Sequence, residues 1–242
     1  MHNKIFKTVL IVSFFSIAMG YLESAVVIYI RELYYPEGFE FPLKIISYKI
    51  AITELLREIA TLIMLLSIAI ITGKKPVEKF AYFIFSFAVW DIFYYVFLKA
   101  IIGWPASFFT WDILFLIPFT WVGPVIAPII NSLTMIILAF SIIYFIGKNE
   151  NAKINVLQWS FLISGSVIII YAYTEEYLHF MLRYFSFAGL FDFTESKNVL
   201  ARACQFIPQY FNWFIFFTGE IFHLTAIILF FLKNQKFKNA SI

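Results

Sequence analysis

The stretch VIAPIINSLTMIILAFSIIYFI, residues 125–146, contains no charged residue and is long enough to cross a bilayer as one helix. A bilayer core about 30 Å thick requires roughly 20 apolar residues per helical span. The chain contains five further stretches of this kind. We therefore expect an all-α integral membrane protein, a six-helix transmembrane bundle that forms a single domain over residues 1–242. The predicted spans are about 8–30, 45–71, 80–102, 125–146, 156–173 and 206–232.

The composition excludes most soluble classes of protein. Of 242 residues, 62% are hydrophobic and 14% are charged, so six spans with short connections occupy nearly the whole chain. The formal charge is +3, but the lysines are scattered at span ends instead of forming a basic stripe, so we expect no nucleic-acid partner. Cys204 is the single cysteine, which excludes an intrachain disulfide. The expected partners are the lipid bilayer and a lipid or amphipathic small molecule, with the oligomeric state left open.

Basic residues predict the orientation. In a six-span topology most of the lysines fall on one side, which the positive-inside rule makes cytoplasmic. Both termini should then be cytoplasmic, in a multi-pass protein of a prokaryotic plasma membrane. The first apolar run after Lys7 is too long for a signal peptide, and we predict that it is a span. The basic residues on the predicted cytoplasmic side are Lys4, Lys7, Lys74, Lys75, Lys79, Lys148, Lys153, Lys233, Lys236 and Lys238.

The connection before the fourth span reads GWPASFFTWDILFLIPFTWVGP, residues 103–124. Pro105, Pro118 and Pro124 interrupt any long helix, and its three tryptophans are typical of a membrane interface. We predict a short interfacial or re-entrant helix here. The sequence leaves open whether it lies on the membrane surface or covers the mouth of an internal site.

Four carboxylates fall inside the predicted spans, and they are the candidate catalytic residues. At 1.5 Å per residue, Glu23, Glu58, Asp91 and Glu220 lie about 24, 22, 18 and 20 Å from the cytoplasmic ends of their helices. The cytoplasmic half of each span carries no charged residue. The predicted polar interior therefore opens outward only, which is unfavourable for a continuous ion path.

Each of these charges costs roughly 2.5–3.5 kcal/mol at the bilayer centre, so they should be paired, protonated or metal-bound. Arg57 lies at the same depth and can neutralise one or two of them. An interhelical network of protonated acids is the alternative. The candidate binding residues, at this depth or nearer the outer interface, are Arg57, Arg31, Glu54, Asp112, Glu176 and His179.

Two ExxH motifs, Glu176–His179 and Glu220–His223, raise the possibility of a di-iron carboxylate site. Their histidines differ in depth by about 20 Å, which is too far for one compact site. A single divalent metal is the cofactor that the sequence leaves open, since mixed carboxylate and imidazole ligands suit zinc, manganese or iron. Its predicted ligands are Glu220, His223 and Glu58.

Three functions fit these features. The first is a metal-assisted or acid/base enzyme that acts on a lipid or other hydrophobic substrate in an outward-facing acidic pocket. The second is a proton- or cation-coupled carrier of a small solute, and the third is a non-catalytic subunit or assembly factor. The sequence contains no GxGxxG, P-loop, GxSxG or HExxH motif, so dinucleotide, nucleotide and common hydrolase chemistries have no support.

Overall fold

The structure of the chain is a computed structural model that describes residues 2–149, 152–192 and 195–239. The structure does not describe the side chains of residues 2–4 and 236–239. Three of the lysines that predict the orientation, Lys4, Lys236 and Lys238, lie in these ranges.

The described residues form seven α-helices, a short 3-10 helix and one β-hairpin. Six of the helices are long and apolar enough to cross a membrane, which confirms the prediction of a six-span multi-pass membrane protein. The elements are α1 (His2–Tyr34), α2 (Tyr48–Thr72), α3 (Pro76–Ile102), β1 (Trp111–Phe115), β2 (Trp121–Pro124), α4 (Ile126–Lys148), α5 (Val156–Met181), the 3-10 helix (Ala188–Phe191), α6 (Ser196–Ala203) and α7 (Trp213–Asn239).

The six long helices run alternately up and down, so the connections collect at two ends of the bundle. At one end Ile5 packs against Gly147, and the Lys233 ammonium donates to the Lys153 carbonyl at 3.1 Å. We call this the terminal end, because α1 begins there and α7 ends there. The opposite end, which we call the hairpin end, carries residues 35–47, 103–125, 182–192 and 195–212. Which end faces the cytoplasm stays a prediction.

The largest apolar core lies toward the terminal end. Residues of α1, α3, α4, α5 and α7 meet there, including Ala81, Ile142, Phe145 and Phe230, all nearly inaccessible to solvent. No charged side chain belongs to this cluster. Gln158 and Asn234 are buried near this end, but the buried acidic and basic side chains of the described residues lie in the middle of the bundle and at the hairpin end: Arg31, Glu58, Asp112, Glu175, Glu220 and His223.

Small residues bring two pairs of helices close together. On α1, Ser16, Gly20 and Ser24 face α3, and the Ser24 hydroxyl donates to the Tyr94 carbonyl at 3.0 Å. On α5 and α7, Gly165 and Gly219 are in direct contact, and a Cβ on either would lie within 3 Å of the other's carbonyl oxygen. Close approach of backbones through small residues is the usual way in which membrane helices associate without a hydrophobic driving force.

The prediction of a short helix in residues 103–124 is wrong, because this segment forms the β-hairpin. Asp112 pairs with Gly123 in antiparallel register, and a bulge lies between Ile113 and Phe115. The three prolines lack an N–H and disfavour a helix, whereas residues 111–115 and 121–124 can pair as short antiparallel strands. The Val125 N–H then donates to the Thr110 carbonyl at 3.0 Å, so the hairpin leads directly into α4.

At the hairpin end, two span boundaries differ from the prediction by seven or eight residues. α5 continues to Met181, eight residues beyond the predicted end at 173. The last span begins at Trp213 instead of 206, because the residues before it form α6 and an extended segment that contains Pro208. Proline cannot donate a helical hydrogen bond, so it limits the helix on that side.

Candidate functional site

A cavity of about 250 Å³ lies at the hairpin end between α1, α2, α3 and the hairpin, and most of its lining is apolar. Residues 35–46 and α6 contribute to its wall at the hairpin end. Seven of the predicted site residues line it: Glu23, Arg31, Glu54, Arg57, Glu58, Asp91 and Asp112.

The cavity penetrates well into the bundle. Glu58 lies ten residues into α2, about 15 Å from the end of that helix. Glu23 and Asp91 each lie eleven residues from the hairpin ends of α1 and α3, about 16 Å away. The similar depths that the sequence predicted for these three carboxylates therefore correspond to one site.

Arg57 is neutralised by two carboxylates. Its Nε donates to Glu54 Oε2 at 2.8 Å, one turn earlier on α2, and its Nη1 makes an ion pair with Glu23 of α1. The second contact joins α1 and α2, two helices that otherwise pack little against each other. Among the described side chains, Arg57 thus makes direct ion pairs with Glu23 and Glu54 and with no third carboxylate.

Arg31 forms a second ionic group nearer the hairpin end. Its Nη2 lies 3.3 Å from Asp112 Oδ1, and its guanidinium carbon lies 3.7 Å from the Trp104 ring centroid and 4.4 Å from that of Phe39. The Tyr95 hydroxyl donates to the other Asp112 oxygen at 3.2 Å. Burial raises the pKa of Asp112 to about 6, although Arg31 and the Tyr95 hydrogen bond act in the opposite direction. This arrangement fixes β1 against α1 and α3.

Glu58 meets the tip of the hairpin. The backbone N–H of Leu116 donates to Glu58 Oε2 at 3.0 Å. The tip therefore reaches the depth of Glu58, about 15 Å below the start of α2. The Glu58 side chain is buried, and its other oxygen has no hydrogen-bond partner among the described residues.

Asp91 lies on the α4 side of the cavity. The Ser132 hydroxyl donates to its Oδ2 at 2.7 Å. Among the described side chains, no Lys, Arg or His nitrogen lies within 4.0 Å of Asp91 or Glu58. These two carboxylates are the cavity residues that lack a cationic partner.

Glu220 and His223 are buried elsewhere, between α4, α5 and α7. Thr134 donates to Glu220 Oε2 at 2.7 Å, and His223 Nε2 lies 3.2 Å from both the Ser166 hydroxyl and the Leu162 carbonyl. Neither residue lines the cavity. Glu220 lies at a depth similar to that of the other three carboxylates, but its side chain is on the face of α7 that packs against α4 and α5.

The remaining candidates are also outside the cavity. Glu176 Oε1 accepts from the Gln209 N–H at 2.8 Å, in the connection before α7. His179 lies 13 residues beyond Ser166 on α5, and therefore about 20 Å from His223, which contacts Ser166. The two ExxH motifs thus belong to different places in the bundle.

The predicted metal ligands are not brought together. Glu58 faces the hairpin from α2, whereas Glu220 and His223 face α4 and α5. Throughout the described part of the chain, no three His, Cys, Asp or Glu side chains are grouped closely enough to hold a metal ion.

The sequence contains no pattern that predicts the contribution of Leu116, Trp104 or Phe39 to the site. The Leu116 N–H and the rings of Trp104 and Phe39 reach it because the hairpin and the α1–α2 connection fold over the cavity. Ser132 and Tyr95 reach it by their helical positions. Tyr95 follows Asp91 by one turn, and that spacing is the signal that places it on the same face.

Comparison of the chain with protein-family models, curated proteins and solved structures found no match.

Proposed function

We propose that this multi-pass membrane protein is an acid/base enzyme for a lipid or other hydrophobic substrate, and that its active site is the cavity at the hairpin end. One observation carries the proposal. Glu58 and Asp91 face a largely apolar cavity inside the bundle, and neither has a cationic partner among the described side chains.

Such carboxylates are suited to proton transfer. A carboxyl group in an apolar site can hold its proton at neutral pH and act as a general acid, while a second carboxylate accepts a proton from a nucleophile. Glu58 and Asp91 come from different helices and have different hydrogen-bond partners, a backbone N–H and a serine hydroxyl. Their environments therefore differ, as an acid and a base require.

The ionic groups would then position the substrate. Arg57 holds α1 to α2 through Glu23, and Arg31 holds β1 through Asp112. Both arginines line the cavity, and their ion pairs keep α1, α2 and β1 in place around the substrate. In this proposal they are binding residues, and the two unpaired carboxylates are catalytic.

The purified protein in vesicles of phosphatidylethanolamine, phosphatidylglycerol and cardiolipin should convert a lipid into a new species that mass spectrometry detects. Glu58→Gln and Asp91→Asn should each lower the rate about a hundredfold or more, because proton transfer by a side chain contributes 10²–10⁴-fold. The control is Glu32→Gln, an exposed α1 residue outside the cavity. Unchanged lipids with the wild-type protein, or full activity in both variants, would contradict the proposal.

A second candidate function is a proton-coupled carrier, which is favoured by polar groups beyond the cavity. Ser132 and Thr134 of α4 bind Asp91 and Glu220, and Tyr173 lies near enough to interact electrostatically with both carboxylates. The Tyr173 hydroxyl and Glu220 Oε1 are buried without a hydrogen-bond partner in the described part of the chain, as expected where water completes a polar chain. The apolar core at the terminal end blocks this chain, so we rank the carrier second.

A further inference from the structure

The cavity has an excess of acidic residues over basic ones. Arg57 is paired with Glu23 and Glu54, and Arg31 is paired with Asp112. The third cation is the exposed Lys44, whose ammonium lies 5.6 Å from the Tyr35 ring centroid. The acidic side chains that line the cavity are Glu23, Glu54, Glu58, Asp91 and Asp112, and the basic ones are Arg31, Lys44 and Arg57.

We propose that the ligand of this cavity is a cationic amphiphile, with an ammonium headgroup in the acidic part of the cavity that Glu58 and Asp91 line and an apolar chain that leaves between α1 and α2. This inference rests on the proposed function, whose substrate class it names.

The headgroup site has acceptors in place and lacks a donor. Glu58 is 7% exposed, and one of its oxygens has no hydrogen-bond partner in the described structure. Asp91 likewise has one oxygen without a hydrogen-bond partner among the described residues. An ammonium group can donate N–H bonds to carboxylates and offset their charge, which makes such bonds stronger than those between neutral groups.

Aromatic side chains of the cavity also favour a cationic headgroup. The rings of Trp90, Tyr94 and Phe115 line the cavity beside these carboxylates. A cation near the face of an aromatic ring is stabilised by about 0.5–2 kcal/mol, depending on desolvation. The cavity therefore combines the two kinds of group that recognise an organic cation in an apolar setting.

The apolar chain has a route into the bilayer. Val27 and Ile30 of α1 line the cavity opposite Ala51 of α2. These helices pack little against each other, and the Arg57–Glu23 ion pair is the polar link between them. An alkyl chain can lie along this apolar surface while the headgroup stays in the cavity.

An anionic amphiphile fits less well. Each guanidinium already contacts a carboxylate, so an anionic headgroup would compete with Asp112, or with Glu23 and Glu54. The Nη1 atom of Arg31 has no hydrogen-bond partner among the described residues, but it has almost no accessible surface, so an anionic headgroup could reach it only if the surrounding side chains moved. Anion binding would also leave Glu58 and Asp91 uncompensated.

Photolabelling of the full chain in phosphatidylcholine nanodiscs tests the proposal. The probes are hexadecylamine, hexadecanoic acid and hexadecanol, each with a diazirine on the chain. The amine probe should label the segments around Val27 and Ala51, and unlabelled hexadecylamine, but not hexadecanoic acid, should compete. Equal labelling by the acid probe would overturn the proposal. So would amine labelling that is concentrated on Leu133 and Ile137, which are exposed on α4.

Variants identify the headgroup site. In the double variant Glu58→Gln with Asp91→Asn, the amine concentration that gives half-maximal labelling should rise about tenfold to a hundredfold, because the unpaired carboxylate charges that the headgroup would meet are removed. Labelling by the neutral hexadecanol probe should persist and reports that the cavity is still folded; the single Glu58→Gln variant serves if the double variant does not fold. Glu32→Gln is the matched control. Unchanged amine affinity in a variant that retains hexadecanol labelling would overturn the headgroup assignment.

The outcomes separate this inference from the proposed function, because labelling needs no turnover. Specific amine labelling without any lipid conversion would contradict the enzyme and keep the ligand class. Lipid conversion that depends on Glu58, together with no selective amine labelling, would contradict the ligand class and keep the enzyme.

Discussion

At the scale of single residues, the site separates charges that are paired from charges that are not. Arg31 and Asp112 satisfy each other between the rings of Trp104 and Phe39. A buried ion pair of this kind fixes geometry more than it adds stability, because desolvation offsets much of the attraction. Its effect here is to hold β1 over the cavity. Glu58 and Asp91 have no such partner among the described side chains, and this difference is the basis for proposing the chemical role for them.

Asp112 should make stability depend on pH. Its pKa in the folded protein is about 6, above the ordinary value of 3.8, so the folded state takes up the proton first as the pH falls. The contribution of this proton to the unfolding free energy is fully present below pH 3.8, and it is lost as the pH rises through about 6. The difference corresponds to about 3 kcal/mol of unfolding free energy.

Thermal unfolding in detergent over this pH range measures the effect as the difference between wild type and Asp112→Asn. The wild type should lose stability relative to the variant as the pH rises. Tyr95→Phe removes a hydrogen bond that lowers the pKa of Asp112, so it should move the change to higher pH. Parallel curves for wild type and Asp112→Asn would show that Asp112 does not titrate in this range.

The sequence predicted part of this residue-level description. Depth along a helix follows from counting residues, and it grouped Glu23, Glu58 and Asp91 correctly in one cavity. The depth of a residue does not indicate the direction in which its side chain points. The sequence therefore grouped Glu220 with these three residues, although Glu220 accepts a hydrogen bond from Thr134 in another part of the bundle. Contacts from loop residues, such as the Leu116 N–H to Glu58, have no periodic pattern from which they could be predicted.

At the scale of elements, the long helices were predictable and the hairpin was not. Each span needs an apolar run of fixed length, and that requirement leaves a strong signal in the sequence. Strands β1 and β2 have five and four residues and are rich in aromatic side chains, as an interfacial helix would also be. Their pairing is fixed by contacts with distant residues, such as the stacking of Trp121 on Tyr173 at 5.7 Å between ring centroids.

Contact between α5 and α7 should be intolerant of added volume. A Cβ on Gly165 would lie 2.9 Å from the Gly219 carbonyl oxygen and 2.6 Å from the His223 ring, so both helices would have to shift. Gly165→Ala should therefore lower the unfolding free energy by about 1–3 kcal/mol, which is typical of overpacking. Unfolding of the reconstituted protein by increasing amounts of SDS measures the loss.

Gly147→Ala is the matched control for this change. Its Cβ would meet the end of the Ile5 side chain at 2.9 Å, a contact that a rotation of that side chain can relieve. It should cost clearly less than Gly165→Ala. Equal losses in the two variants would mean that ordinary helix effects, and not the α5–α7 contact, determine the result.

At the scale of the whole molecule, the bundle is polar toward one end and apolar toward the other. The cavity penetrates about 15 Å from the hairpin end, and the core of Ala81, Ile142 and Phe145 closes the terminal end. This asymmetry was predictable, since the sequence has no charge in the corresponding half of any span. It favours a substrate that enters from the hairpin side or from the bilayer.

The orientation of this asymmetric bundle is a prediction that can be tested directly. Lysines cluster at the terminal end, among them Lys74, Lys79, Lys148 and Lys153, and the positive-inside rule makes that end cytoplasmic. In intact bacterial cells, a membrane-impermeant maleimide should react with Ala106→Cys, which is exposed at the hairpin end, and not with Lys74→Cys. Lys74→Cys should react only after the inner membrane is permeabilised.

The native cysteine makes the wild-type protein a suitable blank in this experiment. Cys204 is 7% exposed, and burial raises the pKa of its thiol, so little reactive thiolate is present near neutral pH. Lys74→Cys removes one of several lysines at its end, and the charge bias that sets the orientation should persist. Labelling of Lys74→Cys in intact cells, with Ala106→Cys protected, would reverse the orientation. The cavity would then face the cytoplasm, and its substrate would have to come from the inner leaflet or the cell interior.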